Sequence, residues 1–179
     1  MSRICAVCLS DLHLGSESSV LTAVNPNTLE PDIHKKSSVL VGLVDCLKAV
    51  LSDHSGAKKP SLVLAGDVLE LALATTNVAA TVFTQFLELL LEDGKLPVDR
   101  TIFYVPGNHD MEYVNKTLFR DTRLYNKYFS PARFEKYPWY GGHMGETNDS
   151  NYCFFESAGM KFMVLSLEFN PGKKTLDWA

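Results

Sequence analysis

Ser61-Leu62-Val63-Leu64-Ala65-Gly66-Asp67 decides how this chain is to be read. A short apolar run stops at a glycine, and a carboxylate follows at once. Such a run bounded by a turn is the pattern of a buried strand. Gly66 lets the backbone turn sharply without a Cβ clash, so Asp67 is delivered just past the strand's carboxyl end. In open α/β sheets that is where ligands bind.

The same arrangement occurs twice more. Ile4 to Leu9 is a second short apolar run, expected to be a fully buried strand, and Ser10-Asp11-Leu12-His13 follows it. Thr101 to Val105 is the third, followed by Pro106-Gly107-Asn108-His109-Asp110. Between the first two runs, Leu40, Leu43, Val44, Leu47 and Leu51 recur at helical spacing and predict an amphipathic helix from about Lys36 to Asp53. Gly56 to Pro60 breaks it. Between the second and third runs, Ala79, Val82, Phe83, Phe86, Leu89 and Leu90 predict another helix, capped near Asn77 and stopped near Gly94. Strand–helix–strand–helix–strand argues for an α/β fold with at least partly parallel pairing. Three parallel strand ends would bring the three polar clusters together.

The rest of the chain is less regular. Ser10 to about Ile33 is polar, with Gly15, Pro26 and Pro31, and reads as a long loop; a loop of that length in a compact domain marks a functional segment. Met111 to Phe129 is predicted helical, and Ser130 to Asn151 is predicted to be loop. Tyr152 to Glu156 and Met160 to Leu167 form an expected hairpin around Ser157-Ala158-Gly159. Thr175 to Ala179 reads as the start of a helix. There is no internal repeat.

Composition narrows the function classes. Of 179 residues, 46% are hydrophobic and 21% charged, an ordinary globular balance. Seventeen basic against 21 acidic residues give a net charge of −4, which does not support a broad nucleic-acid-gripping surface, although a local basic rim is compatible with it. No apolar run is long enough to span a bilayer. The first residues lead straight into a strand with no signal-peptide core, so the expected location is cytoplasmic. Cys5 and Cys8 form a CxxC pair, but residues three apart on a strand point to opposite faces. They are expected to be buried structural thiols, and four cysteines in all suit a reducing compartment.

The polar clusters carry the chemistry. Asp11 and His13, two apart on an extended segment, can face one side and offer half of a mixed oxygen and nitrogen site suited to Mn, Fe or Zn. Asp67 has two carboxylate oxygens and can bridge two metals about 3.5–4 Å apart. Asn108 offers a neutral carbonyl oxygen, which leaves its metal electron-poor and favours ionisation of a bound water. His109 can give a proton to a leaving oxygen, with Asp110 orienting or charging its ring. Each residue taken singly is equally compatible with loop polarity or capping; Asp110 in particular suits a helix first turn. Glu70 is read as a structural loop carboxylate bonded to backbone. His34 and His54 are expected to be solvated, and Tyr137-Pro138-Trp139-Tyr140 to pack as an aromatic loop on the core.

The trio Asp-x-His, Gly-Asp and Gly-Asn-His-Asp, each after its own strand, resembles the calcineurin-like metallophosphoesterase superfamily. The resemblance implies a pair of β-sheets flanked by helices in an αββα arrangement, and two divalent metal ions at the sheet edge. It implies Asp11 and His13 on one metal, Asp67 on both, Asn108 on the other, His109 as general acid and Asp110 as its partner. It also implies a phosphate-ester substrate attacked in line by a metal-bound hydroxide. The residues do not choose among monoesters, diesters, pyrophosphates and nucleic acids, and nothing in them gives the oligomeric state.

Two family segments are missing from the sequence: a lone histidine after a later strand, and Gly-His-x-His. The histidine that does follow, His143 in Gly141-Gly142-His143-Met144-Gly145, is expected at the surface or on the substrate side. Residues 1–179 are therefore expected to be a single domain cut before its last two ligand motifs. Such a chain is expected to hold at most one metal well and to hydrolyse esters slowly or not at all. The competing expectation is a non-catalytic binding or scaffold module on the same fold, against which the joint presence of Asp11, His13, Asp67, Asn108 and His109 argues.

Overall fold

The computed structural model of the chain describes residues 4–52, 59–91, 97–99, 102–114, 117–157 and 159–179. His54, Gly56, Gly94, Thr101 and Ala158, used above to place a solvated histidine, a break, a helix stop, a strand start and a turn, lie outside them. The fold is mixed α/β with two principal sheets. The first contains β1 (Ala6–Leu9), β2 (Ser61–Ala65) and β3 (Ile102–Val105). They lie in the order β1-β2-β3, both pairings parallel, with Leu9 opposite Leu64 and Ala65 opposite Val105. All three carboxyl ends therefore emerge along one edge, the arrangement the sequence pattern requires.

Two helices cover one face of this sheet. α1 (Ser38–Ser52) buries Leu40, Val44 and Leu51. α2 (Thr76–Leu91) buries Ala79, Val82, Phe86, Leu89 and Leu90. All of these but Ala79 join Leu62, Leu64 and Val68 in one core cluster, as the 3.6-residue spacing predicts. The helix starts are set by hydroxyl caps. Ser37 Oγ accepts from the Val39 N–H at 3.2 Å and Thr75 Oγ1 from the Val78 N–H at 3.4 Å, so α2 is capped at Thr75, close to the expected Asn77.

β2 is buried along four of its five residues, but β1 is only half-buried and Cys8 is exposed. This corrects the expectation of a fully buried first strand with buried thiols. The reason is position: among the described residues β1 pairs with β2 alone, on the outer edge of the sheet.

The second sheet is antiparallel, in the order β6 (Tyr140–His143), β7 (Asn151–Ser157), β8 (Met160–Ser166). The β7–β8 hairpin closes with Ser157 opposite Met160, at the expected turn. Phe155 and Phe162 are paired on one face, and Phe155 lies 5.3 Å from the Phe103 ring of β3. That face therefore packs toward the first sheet. Trp139 meets Phe103 and Phe134 at 6.1 and 5.8 Å, so that part of the expected aromatic loop packs inward, while Tyr137 and Pro138 are exposed.

Two expectations fail downstream of β3. The stretch predicted helical contains an antiparallel pair, β4 (Glu112–Val114) and β5 (Thr117–Asp121), before the short helix α3 (Arg123–Tyr128). The stretch predicted as loop contains α4 (Pro131–Phe134) and β6. Tyr113, Val114, Thr117 and Phe119 are β-branched or aromatic, types that favour strands, and Pro131 opens a helix with φ already set for it. α5 (Lys173–Trp178) follows the second sheet where a helix start was expected. No helix among the described residues is long and apolar enough to cross a membrane.

Candidate active site

The backbone beyond the strand ends is built before any side chain acts. The Asp11 N–H donates to the Gly66 carbonyl at 3.0 Å, and the His13 N–H to the Asp67 carbonyl at 2.9 Å. Leu14 then pairs with Leu69 in an isolated parallel bridge. The segments after β1 and β2 thus run side by side past the end of the sheet. On the other flank, the Gly66 N–H reaches the Val105 carbonyl at 2.7 Å and the Leu71 N–H the His109 carbonyl at 2.8 Å. Three loops are stitched together with Asp67 in the middle.

Asp11, His13 and Asp67 all adopt left-handed backbone, with φ of 54°, 46° and 49°. Asp11 and His13 therefore do not share a side by strand alternation, as an extended segment would have it; two left-handed residues around Leu12 place them instead. For non-glycine residues this conformation costs of order 1–3 kcal/mol each, and it persists because the flanking hydrogen bonds over-determine it. The result is that one ligand atom from each of Asp11, His13 and Asp67 lies within 4.8 Å of the others. Two carboxylates and an imidazole at that spacing are a fitting donor set for Mn, Fe or Zn.

Asp67 is held from the third loop. Its Oδ1 accepts the His109 N–H at 2.9 Å, and Gly107 packs against it. A Cβ built at Gly107 would stand 2.1 Å from Asp67 Oδ1 and 2.5 Å from the Asp67 backbone nitrogen. Asn108 lies half-buried on the same turn and makes no side-chain hydrogen bond among the described residues. The His109 ring meets the His13 ring edge-on, with centroids 4.7 Å apart.

Asp110 does not orient His109. Its carboxylate accepts three backbone N–H groups, from Leu69 at 2.6 Å, Gly107 at 2.8 Å and Val68 at 3.3 Å. Burial pushes the Asp110 carboxyl above its ordinary value, and those N–H bonds and the Tyr104 hydroxyl pull it back down. Burial, and then the Asp110 charge, raise the Tyr104 hydroxyl well above its usual range. Asp110 is thus the clamp between the loops after β2 and β3. Asp110→Asn would set an amide N–H₂ against backbone donors and should cost about 2 kcal/mol of stability by chemical denaturation.

The carboxylate that does meet His109 is Glu70, which sequence reasoning had read as structural. Glu70 is 2% exposed. Its Oε1 lies 2.8 Å from His109 Nδ1 and its Oε2 3.0 Å from His13 Nδ1, while Oε1 also accepts the Leu73 N–H at 3.1 Å. The available signal was its position three residues after Asp67, but no local pattern says that a carboxylate there turns inward. His143 belongs to neither ligand cluster; it sits on β6 with its ring against Tyr140.

The long loop after β1 is pinned to the start of α1 and to α2. Gln85 of α2, itself buried, donates to the Ile33 carbonyl at 2.8 Å, and Ser37 Oγ donates to the Val20 carbonyl at 2.7 Å.

A family model described as calcineurin-like phosphoesterase matches residues 6–171, a span that takes in every strand described above. The chain belongs to the calcineurin-like phosphoesterase family, whose activity is metal-dependent hydrolysis of phosphoesters. No curated protein and no solved structure matches it.

Proposed function

We propose that the chain hydrolyses a phosphoester at a dinuclear divalent-metal centre. In this reading Asp11 and His13 serve one metal, Asp67 bridges both, and Asn108 serves the second. The observation that carries the proposal is the convergence of Asp11, His13 and Asp67 within 4.8 Å, at the ends of parallel strands, beside a histidine that is not needed as a ligand. Bound divalent ions would supply Lewis-acid polarisation of the phosphoryl oxygens and activation of water. The protein's part is to fix the donor atoms and to manage a proton. Asp67 brings negative charge between the two positions, with its geometry set by the His109 N–H and Gly107. His109 engages Glu70 through Nδ1, which leaves Nε2 as the nitrogen able to protonate the departing oxygen. Asp110 keeps the turn carrying Asn108 and His109 against the loop carrying Asp67.

Asp11, His13 and Asp67 offer one metal two carboxylates and an imidazole; Asp67 and Asn108 alone are a poor set for the other. Calorimetric titration with Mn(II) should therefore show one tight site and a second that is much weaker. Hydrolysis of an aryl phosphodiester should be slow, should require added Mn(II) and should stop with a chelator. Two equally tight sites would contradict the ligand assignment, and turnover that survives chelation would contradict the reaction. Free cysteines agree with a reducing compartment, so we place the activity in the cytoplasm.

A further inference from the structure

We propose that the outer surface of α3, α4 and the turn after them binds single-stranded nucleic acid, with Lys127, Arg133 and Lys136 meeting phosphates and Tyr128 stacking against a base. None of these residues belongs to the candidate metal clusters, so the surface stands apart from the hydrolase reading.

A chain with a net charge of −4 carries its basic residues unevenly. From Thr122 to Pro138 the cations are Arg123, Lys127, Arg133 and Lys136, and the one carboxylate is Glu135. All of these side chains are exposed. The inner side of the same segment is packed on the first sheet. Tyr125 and Phe129 lie 6.5 and 5.8 Å from the ring of Tyr104 on β3, and Phe134 lies 6.3 Å from Phe129. Residues two apart on a helix do not share a face, so Arg123 and Lys127 turn outward as Tyr125 and Phe129 turn in. The cations are thereby carried on the strand that leads to Asn108 and His109.

Rings, not carboxylates, hold the three cations named first. Lys127 Nζ lies 5.4 Å from the Tyr128 centroid, the Arg133 guanidinium 5.5 Å from Phe134, and Lys136 Nζ 5.2 Å from Tyr137. None of the three makes a salt bridge among the described residues. Glu135 lies toward His143 instead, 4.0 Å from its Nδ1. Arg133 also donates to the Tyr128 carbonyl at 2.7 Å, which ties α4 to the end of α3. A carboxylate would cancel these charges; a ring orients a cation and leaves its charge in place.

A basic residue followed by an aromatic one thus occurs three times between Lys127 and Tyr137. Phosphates suit the cations, and unpaired bases suit an exposed ring. Tyr128 is 52% exposed and open to a base, whereas Tyr137 is already stacked on Trp139 at 5.3 Å. A bilayer would call for a broad apolar face along an amphipathic helix. Here the helices have six and four residues, and their inward rings are engaged with the core.

The test is fluorescence anisotropy of a short labelled oligothymidylate with the full chain in excess chelator, so that the metal site takes no part. Affinity should fall as salt rises, with a log–log slope of about −2, from three phosphate contacts at about 0.7 each. Lys127→Gln combined with Lys136→Gln should bring the slope to about −0.7. Tyr128→Ala should lower affinity about 10-fold with the slope unchanged. These side chains are exposed, so circular dichroism should show each variant folded. Oligouridylate run in parallel separates RNA from DNA: binding of either with these slopes supports the surface, and the tighter one names the sugar. No binding by the unaltered chain at low salt overturns the inference, and that result needs no variant. So does a slope that the double variant leaves unchanged. A duplex of the same length bound as tightly would reduce the surface to charge alone and overturn the stacking role. Tighter binding to phosphatidylserine vesicles, unaffected by Tyr128→Ala, would make it a membrane contact and overturn the proposal.

Discussion

Asp67→Asn should leave the fold intact and lower both Mn(II) affinity and Mn(II)-supported ester hydrolysis by at least about 100-fold, the upper range seen for groups that merely support metal ligands. The fold should survive because asparagine meets each local demand at this position. It tolerates left-handed backbone, so a φ of 49° is not an obstacle. Its amide oxygen can still accept the His109 N–H that Asp67 Oδ1 accepts at 2.9 Å. What changes is the other terminal atom, which becomes an amide nitrogen with no lone pair for a cation, and the negative charge, which disappears from the middle of the site. A variant with an unchanged melting temperature and no tight Mn(II) site is the expected result. Hydrolysis that persists at the original rate would remove Asp67 from the bridging role.

Gly107→Ala tests the same carboxylate from the opposite direction, by adding one methyl group. The added carbon would meet Asp67 Oδ1 at 2.1 Å, its backbone nitrogen at 2.5 Å and its Cγ at 2.7 Å. A flexible side-chain end could swing away, but the backbone of Asp67 is tied to β1's loop and cannot move without breaking the His13 N–H bond to the Asp67 carbonyl. Overpacking of this kind costs about 3 kcal/mol, and the displaced carboxylate should weaken Mn(II) binding in parallel. Gly42→Ala is the matched control. It lies inside α1 with nothing within 4 Å of its built Cβ, so it should stabilise the chain by about 1 kcal/mol and leave the metal alone. Equal effects from the two substitutions would show that the crowding at Gly107 is unimportant.

The features that were legible in the sequence are those with a short physical range. Leu40, Val44 and Leu51, or Val82, Phe86 and Leu89, sit on one face of a helix because of local geometry, and the same spacing is visible in one dimension. The apolar runs before Asp11, Asp67 and Asn108 announce strands for a similar reason. Pairing between distant polar groups is not written locally. Asp110 follows His109 directly, and adjacency suggested partnership, yet neighbours on a tight turn point apart and the backbone N–H groups of Leu69 and Gly107 claim the carboxylate. Glu70 lies 39 residues from His109 and meets it only because the two loops are stitched together. The β4–β5 pair was missed because its strands are very short, three and five residues, too few to establish a two-residue period against the apolar content of a helix.

The left-handed backbone at Asp11, His13 and Asp67 sets selection for durability against selection for chemistry. Glycine at any of these positions would relax the conformation and erase a donor atom in the same step. A library of variants sorted by heat resistance alone should therefore drift toward proteins that outlast the original and do nothing, whereas one sorted by retained manganese should keep all three residues and find its gains elsewhere.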